Sequence, residues 1–221
     1  MTPITSKAHV AKSRIMRAAG VMSRHGTRVR MVKVVAGDGV GGSHLYGSYP
    51  DLASGAKAFE SSSADAEMIA LMKERDLNPA AEVRDPWIGR MIHGGPAATP
   101  KPVSVHRDYH MLRTRLSVAM ELIPELDALM KPHDVDVAVA VQLLGPDHEL
   151  IRVIYRFSSK EHWSKSVDDM GQNKVFVTLV EKANSLGSLK TSRLVAEMYH
   201  GGSWPVIGQD PAYLSCASLG A

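Results

Sequence analysis

The segment Val103–His110 places four side chains with proton-transfer or hydrogen-bonding chemistry on one face of a predicted strand. Its sequence, VSVHRDYH, alternates along its length in the manner of a β-strand. Because side chains alternate across a strand, Ser104, His106, Asp108 and His110 share one face. Imidazoles titrate near neutral pH, so we predict His106, His110 and Asp108 as acid–base residues. The alternative is a solvated strand face.

A metal site is not predicted on this face. His106 and His110 lie four positions apart, about 13 Å along a strand, which is too far for both rings to bind one ion. The chain has a single cysteine, Cys216, so it can form neither an intrachain disulfide nor a cysteine-based zinc site. One cysteine also fits a reducing compartment.

The next candidates lie on and after the predicted strand Glu149–Phe157. Arg152 and Arg156 share a face of this strand and could bind an anionic substrate as planar forks, or could face water. Tyr155 lies on the opposite face, and Trp163 follows near the start of a predicted helix. All four are predicted as substrate-binding residues, with a core position as the alternative for Trp163.

Two histidines occupy matching positions in a repeated motif. RMIHGG ends in His93 and two glycines, and EMYHGG ends in His200 and two glycines. Each is predicted to close a strand. The two rings either cap their strands or line opposite ends of one cavity, where they would contact substrate.

The glycine-rich stretch GDGVGG, residues 37–42, does not predict a phosphate-binding loop. No Lys-Ser/Thr pair follows it, and the next element is a predicted strand rather than a helix. The chain contains serine, histidine and aspartate, but no nucleophile elbow of the serine-hydrolase kind.

These candidates need elements to position them, and the second half of the chain predicts the order β-α-β-β-α-β. The predicted elements are strand Val103–His110, helix Arg115–Met130, strands Val135–Leu144 and Glu149–Phe157, a mostly helical segment Ser158–Ser185 and strand Ser192–Gly202.

The first half predicts the same order without its first strand. The predicted elements are helix Lys7–His25, strands Thr27–Gly37 and Ser43–Pro50, helix Ser63–Asp76 and strand Pro86–Gly95. We therefore divide the chain into a first unit at 1–95, a Pro-rich linker at 96–102, a second unit at 103–202 and a C-terminal tail at 203–221.

The unmatched strand predicts an open sheet edge, which proteins usually avoid. Three explanations are open. A segment upstream of Met1 could supply the strand, another chain could cover the edge, or the apolar tail at 203–221 could fill it.

This element order, repeated in tandem, resembles the dimeric α+β barrel superfamily over about residues 7–202. The resemblance implies an α+β fold in which two ferredoxin-like units set their sheets face to face around a mainly apolar cavity. It implies a small hydrophobic substrate, aromatic or polyketide-like, and oxygenation or isomerisation without an organic cofactor. His106 or His110 would then deprotonate the substrate, and Tyr155 with an arginine would orient it.

Two other functions stay open. A non-catalytic assembly or ligand-binding protein would use the unmatched edge and the tail to associate with copies of itself or with another chain. Because the superfamily includes haem enzymes, haem is also possible, although no spacing identifies its axial histidine.

Composition narrows the partners. The longest apolar runs, such as Val135–Leu144, have strand length and fall short of the ~20 residues that span a bilayer. We expect a cytoplasmic homo-oligomer that does not contact a membrane. The N-terminal segment has no acidic residue before Asp38, which also suits an organelle transit peptide. The same segment is rich in lysine and arginine. Nucleic-acid binding is nevertheless disfavoured, because no aromatic residues are interleaved with these basic residues.

Overall fold

The computed structural model describes residues 1–83, 86–95, 101–201 and 213–216, the last four and Thr5 by their backbone only. These residues form an α+β fold in which six α-helices surround a curled antiparallel sheet. Within the described residues, no helix combines the length and the apolar character needed to cross a membrane.

The strands and helices of the first half follow the predicted order, with additions. They are β1 Thr2–Pro3, α1 Ala8–Arg24, β2 Arg28–Gly37, β3 Ser43–Tyr49, α2 Leu52–Ser63, α3 Ala66–Leu77, β4 Ala81–Glu82 and β5 Trp87–His93. The helix α2 and the short β1–β4 pair are additional to the prediction.

The second half contains β6 Val103–His110, α4 Leu116–Met130, β7 Asp136–Leu144, β8 Leu150–Phe157, α5 Lys160–Gln172, α6 Lys174–Leu186, β9 Ser188–Gly201 and β10 Tyr213–Cys216. The segment predicted as mostly helical is two helices, because the Asn173 side chain accepts hydrogen bonds from two backbone N–H groups and starts α6. Pro124 lies inside α4.

The sheet closes into a barrel with the strand order β10-β3-β2-β9-β6-β8-β7-β5. The strand β10 pairs with β3 on one side and with β5 on the other, so it stands between them as β6 stands between β8 and β9. Of the three explanations for the unmatched edge, filling by the C-terminal tail is therefore confirmed. The expectation of a homo-oligomer is therefore no longer supported by an open sheet edge, and it stays a prediction.

Strand alternation gives the sheet an outer face and an inner face. The outer face packs on the helices, with clusters that combine α1 with β2 and β3, and α4 with β7 and β8. Two clusters without any helical residue lie on the inner face: Val32, Val34, Tyr46 and Val195, and Met91, Ala138, Ala140 and Ile154.

Candidate functional site

A buried charge network occupies one end of the barrel interior. Arg152 on β8 donates to both carboxylate oxygens of Asp108 on β6, with N···O distances of 2.6 and 2.8 Å. Arg193 on β9 donates to the same carboxylate at 3.1 Å, and Thr191 donates to it at 2.8 Å. Burial raises the pKa of Asp108, but the two arginines outweigh it and hold that pKa below its ordinary value. The carboxylate is therefore ionised and fully engaged.

His106 lies beside this network in a second buried group. Its Nδ1 is 3.2 Å from the Tyr46 hydroxyl, and its Nε2 is 3.2 Å from the Ser104 hydroxyl. Burial, together with the charge of Arg152, depresses the pKa of His106 well below its ordinary value. His44, stacked on Tyr46, has its pKa lowered to about 3, mainly by burial. Both imidazoles are neutral at neutral pH.

The predicted polar face of β6 thus points into the barrel, and the interior is more polar than the mainly apolar cavity expected from the sequence. The exposed fractions of His106 and Asp108 are 3% each, and that of Arg152 is 5%. Asp108 and Arg152 bond to each other, and His106 contacts Tyr46 and Ser104, so a substrate could reach these groups only if the contacts opened. Their predicted acid–base roles stay predictions.

His110 does not join this interior group. It lies at the end of β6, where its side chain is 38% exposed, and its ring pairs with Asp147 at 3.0 Å and with Glu149 at 3.3 Å. The structure therefore separates the two histidines that the sequence predicted as alternative bases.

The other end of the barrel holds three more predicted residues. Arg156 lies on the inner face of β8 and donates to the Gly95 carbonyl at 2.9 Å. His93 lies 3.7 Å from the Asp127 carboxylate, and both His93 and Arg156 line an open cavity. His200 is mostly exposed and contacts Glu197, which also pairs with Arg30. The two motif histidines therefore do not meet.

Tyr155 and Trp163 lie outside the barrel, in the layer between sheet and helices. Both belong to a cluster with Phe157 and Met170, where Tyr155 is 6% exposed. The Arg107 guanidinium lies 5.5 Å from the centre of the Tyr155 ring. For Trp163 this is the core position that the sequence left open as its alternative, and neither ring is grouped with the interior histidines.

The site that sequence reasoning missed is an apolar cleft between the sheet and the helices α1–α3. It encloses about 670 Å³. The side chains of its wall come from the end of α1, the end of β3, both following helices and β5: Met22, Tyr49, Asp51, Leu52, Gly55, Ala56, Phe59, Ser62, Ser63, Met68, Ile69, Met72 and Ile88. A concave, mainly apolar space of this size with few polar groups is the usual form of a small-molecule site.

Tyr49 is a buried hydrogen-bonding group in this wall. Thr27 donates to its hydroxyl at 3.1 Å, which leaves the phenol hydrogen for another acceptor. Burial raises the pKa of Tyr49, although the bond from Thr27 opposes the shift. The phenol is therefore protonated at neutral pH and can donate a hydrogen bond.

Small residues make room for the Tyr49 ring. A Cβ at Gly55 would lie 3.2 Å from its Cδ2, and a Cβ at Gly47 would lie 3.1 Å from its hydroxyl oxygen.

The carboxylate of Asp51 begins α2 by accepting a 2.6 Å bond from the Ser54 N–H, and this bond lowers its pKa. Tyr49 and Asp51 are the two ionisable side chains among the described wall residues.

The cleft does not fit haem held by a histidine. Its described wall contains methionines but no histidine, which would be the expected axial ligand. No group of three metal-binding side chains occurs among the residues with described positions.

Solved structures of other proteins share this fold. A provisionally assigned monooxygenase from Fusobacterium nucleatum subsp. nucleatum matches with a TM-score of 0.59 at 10% sequence identity, covering 92% of this chain and 94% of that chain. A second, from Lactobacillus acidophilus, matches with a TM-score of 0.55 at 10% identity, covering 86% and 89%. Identities this low show a common fold and leave the chemistry open. No protein-family model matches the chain, and no curated protein is significantly similar to it in sequence.

Proposed function

We propose that this chain is a small-molecule enzyme that oxygenates a hydrophobic, aromatic or polyketide-like substrate in the apolar cleft, without an organic cofactor. The observation that carries the proposal is the cleft itself, with about 670 Å³ of mainly apolar space and a buried phenol in its wall. The likeness in fold to two provisionally assigned monooxygenases supports oxygenation as the reaction.

We also infer that the chain consists of two ferredoxin-like units. In support, β6, β7, β8 and β9 lie in the order β9-β6-β8-β7, and β5-β10-β3-β2 is the same order if β10 is matched with β6. The tail would then supply the first strand of the first unit from the other end of the sequence.

In the proposed reaction, the Tyr49 phenol donates a hydrogen bond to a substrate oxygen and stabilises the anionic, electron-rich form that reacts with dioxygen. The Asp51 carboxylate at the wall accepts the proton that the substrate loses. An activated CH₂ carbon of the substrate supplies all four electrons that reduce dioxygen and becomes a carbonyl. One oxygen atom enters that carbonyl, and the other leaves as water.

The test is aerobic incubation with a panel of phenolic and polycyclic compounds, without added cofactor, in isotopically labelled dioxygen. We expect oxygen uptake and one labelled oxygen atom in the product. Ser62→Met should lower turnover by about tenfold or more, because the longer side chain occupies the cleft. The control is Ser61→Met, since Ser61 is exposed on the same helix and lies outside the wall.

Other outcomes separate the alternatives. A product of unchanged mass formed without oxygen uptake would identify an isomerase. Binding that depends on Ser62 but leads to no product would identify a ligand-binding protein. Turnover that is equal in both methionine variants would exclude the cleft as the site.

A further inference from the structure

Arg152 and Arg156 form a matched pair of buried arginines with unequal partners. They lie four residues apart on the inner face of β8 and are 5% and 6% exposed. Arg152 has a built-in counter-ion, since both oxygens of Asp108 accept its hydrogen bonds. Arg156 donates one bond to a backbone carbonyl, that of Gly95.

No carboxylate among the described residues forms an ion pair with Arg156. Asp136, the register partner of Arg156 on β7, pairs with Lys101 at 3.0 Å and acts on Arg156 only through its charge. Burial lowers the pKa of Arg156 to about 10, and the nearby charge of Arg30 adds to that shift. The guanidinium is still cationic at neutral pH, and a buried cation without a counter-ion is unfavourable.

The guanidinium is accessible from one side. Arg156 lies in the wall of an open cavity of about 830 Å³, which His93, Lys101 and Lys131 also line. This cavity is separate from the apolar cleft, with which it shares no wall residue.

We propose that this cavity is an anion-binding site in which the fork of Arg156 binds a small carboxylate. The planar guanidinium matches a carboxylate through two parallel N–H···O bonds. A singly charged ligand suits the cavity better than a phosphate dianion, because Asp127, Asp134 and Asp136 also line it and repel negative charge. The bound carboxylate would give Arg156 the counter-ion that Asp108 gives Arg152.

The test is calorimetric titration of the full chain with sodium benzoate and with inorganic phosphate at constant ionic strength. We expect saturable benzoate binding that Arg156→Gln weakens by about tenfold or more. Arg156→Lys keeps the charge without the fork and should lose part of the affinity. Equal affinity in Arg156→Gln, no saturable binding of either anion, or tighter binding of phosphate would overturn the proposal.

Thermal unfolding supplies a readout that a merely structural arginine would not give. Benzoate should raise the melting temperature of the wild-type chain and leave that of Arg156→Gln unchanged. Without benzoate, Arg156→Gln should unfold near the wild-type temperature, whereas Arg152→Gln should unfold well below it because Asp108 loses its main partner. If both variants lost the same amount in melting temperature, Arg156 would have a structural role through its bond to Gly95. That result would overturn the proposal.

Discussion

The two layers between the sheet and its helices are built alike but filled differently. Below α1–α3 the apolar cleft measures about 670 Å³, whereas the cavity found between the sheet, α4 and α6 measures about 70 Å³. In the second layer, the positions beside α5 are occupied by a packed cluster that includes Phe157, Met170 and Trp163.

The difference can be traced to individual positions counted from the start of each helix. Asp51 caps α2 and Ser159 caps α5, each by accepting a bond from the N–H three residues later. The fourth residue after the cap is Gly55 in α2 and Trp163 in α5. The eleventh is a buried serine in α2 and a buried methionine in α5, Ser62 and Met170.

Because interiors are packed to nearly crystalline density, such differences in side-chain volume decide whether a space exists. The comparison teaches that the backbone offers a place for a cavity in both layers. The side chains of α2 leave it open, and those of α5 close it.

The largest expected effect comes from opening the filled layer. Met170→Ala should lower the free energy of unfolding by about 2–5 kcal/mol, because it removes buried apolar contacts and leaves a void. Urea unfolding measures this, with Val167→Ala as the control, since Val167 is exposed on the same helix. A loss below about 1 kcal/mol would mean that Met170 does not hold the second layer closed.

The barrel interior and the apolar cleft should respond differently to pH. The folded pKa of His44 is about 3 and that of His106 is also far below 6.5, so below about pH 6.5 the unfolded chain binds protons that the folded chain does not. Stability should therefore fall as the pH falls, by up to about 1.4 kcal/mol per pH unit for each histidine. The depressed pKa of Asp108 acts in the same direction at lower pH.

Urea unfolding between neutral pH and about pH 5 should show this slope, and His106→Gln should reduce it. Ligand affinity in the cleft should stay constant over the same range, because Tyr49 titrates above it and Asp51 below it. Affinity that changes in parallel with stability would place the interior histidines in the ligand site.

The smallest expected effect is at Gly55. Gly55→Ala should change stability by less than about 1 kcal/mol, because the gain in helix propensity is offset by the approach of the new Cβ to Tyr49. A fluorescent apolar probe should bind a few-fold more weakly, since the cleft becomes narrower. Gly171→Ala, at a helical glycine with open space around it, is the control for propensity alone.

The sequence predicts elements better than it predicts the site. Alternation along β6 correctly assigns Ser104, His106 and Asp108 to one face, because the period of a strand is local. The counter-ion of Asp108 could not be predicted, because Arg152 and Arg193 reach it from two other strands. The helix α2 was missed because LASGAKAFESSS contains four serines and one glycine, which favour helices weakly.

The cleft was missed because it results from small side chains in one layer at positions where the other layer has large ones. A signal for it was available. Aligning the two helix caps would have placed Gly55 opposite Trp163 and Tyr49 opposite Phe157. Such a contrast between a glycine and a tryptophan at equivalent positions indicates unequal packing, although it takes the fold to show that the result is a cavity.

The position of β10 has a consequence for how the protein is made. Its pairing with β3 and β5 joins segments that lie far apart in the sequence, and such non-local contacts slow folding. On the ribosome, β3 and β5 emerge long before the strand that belongs between them. Until then the nascent chain carries two unpaired edges, which are sites for mispairing and for chaperone binding. The sheet beneath the apolar cleft is therefore completed only when the last described strand has been synthesised.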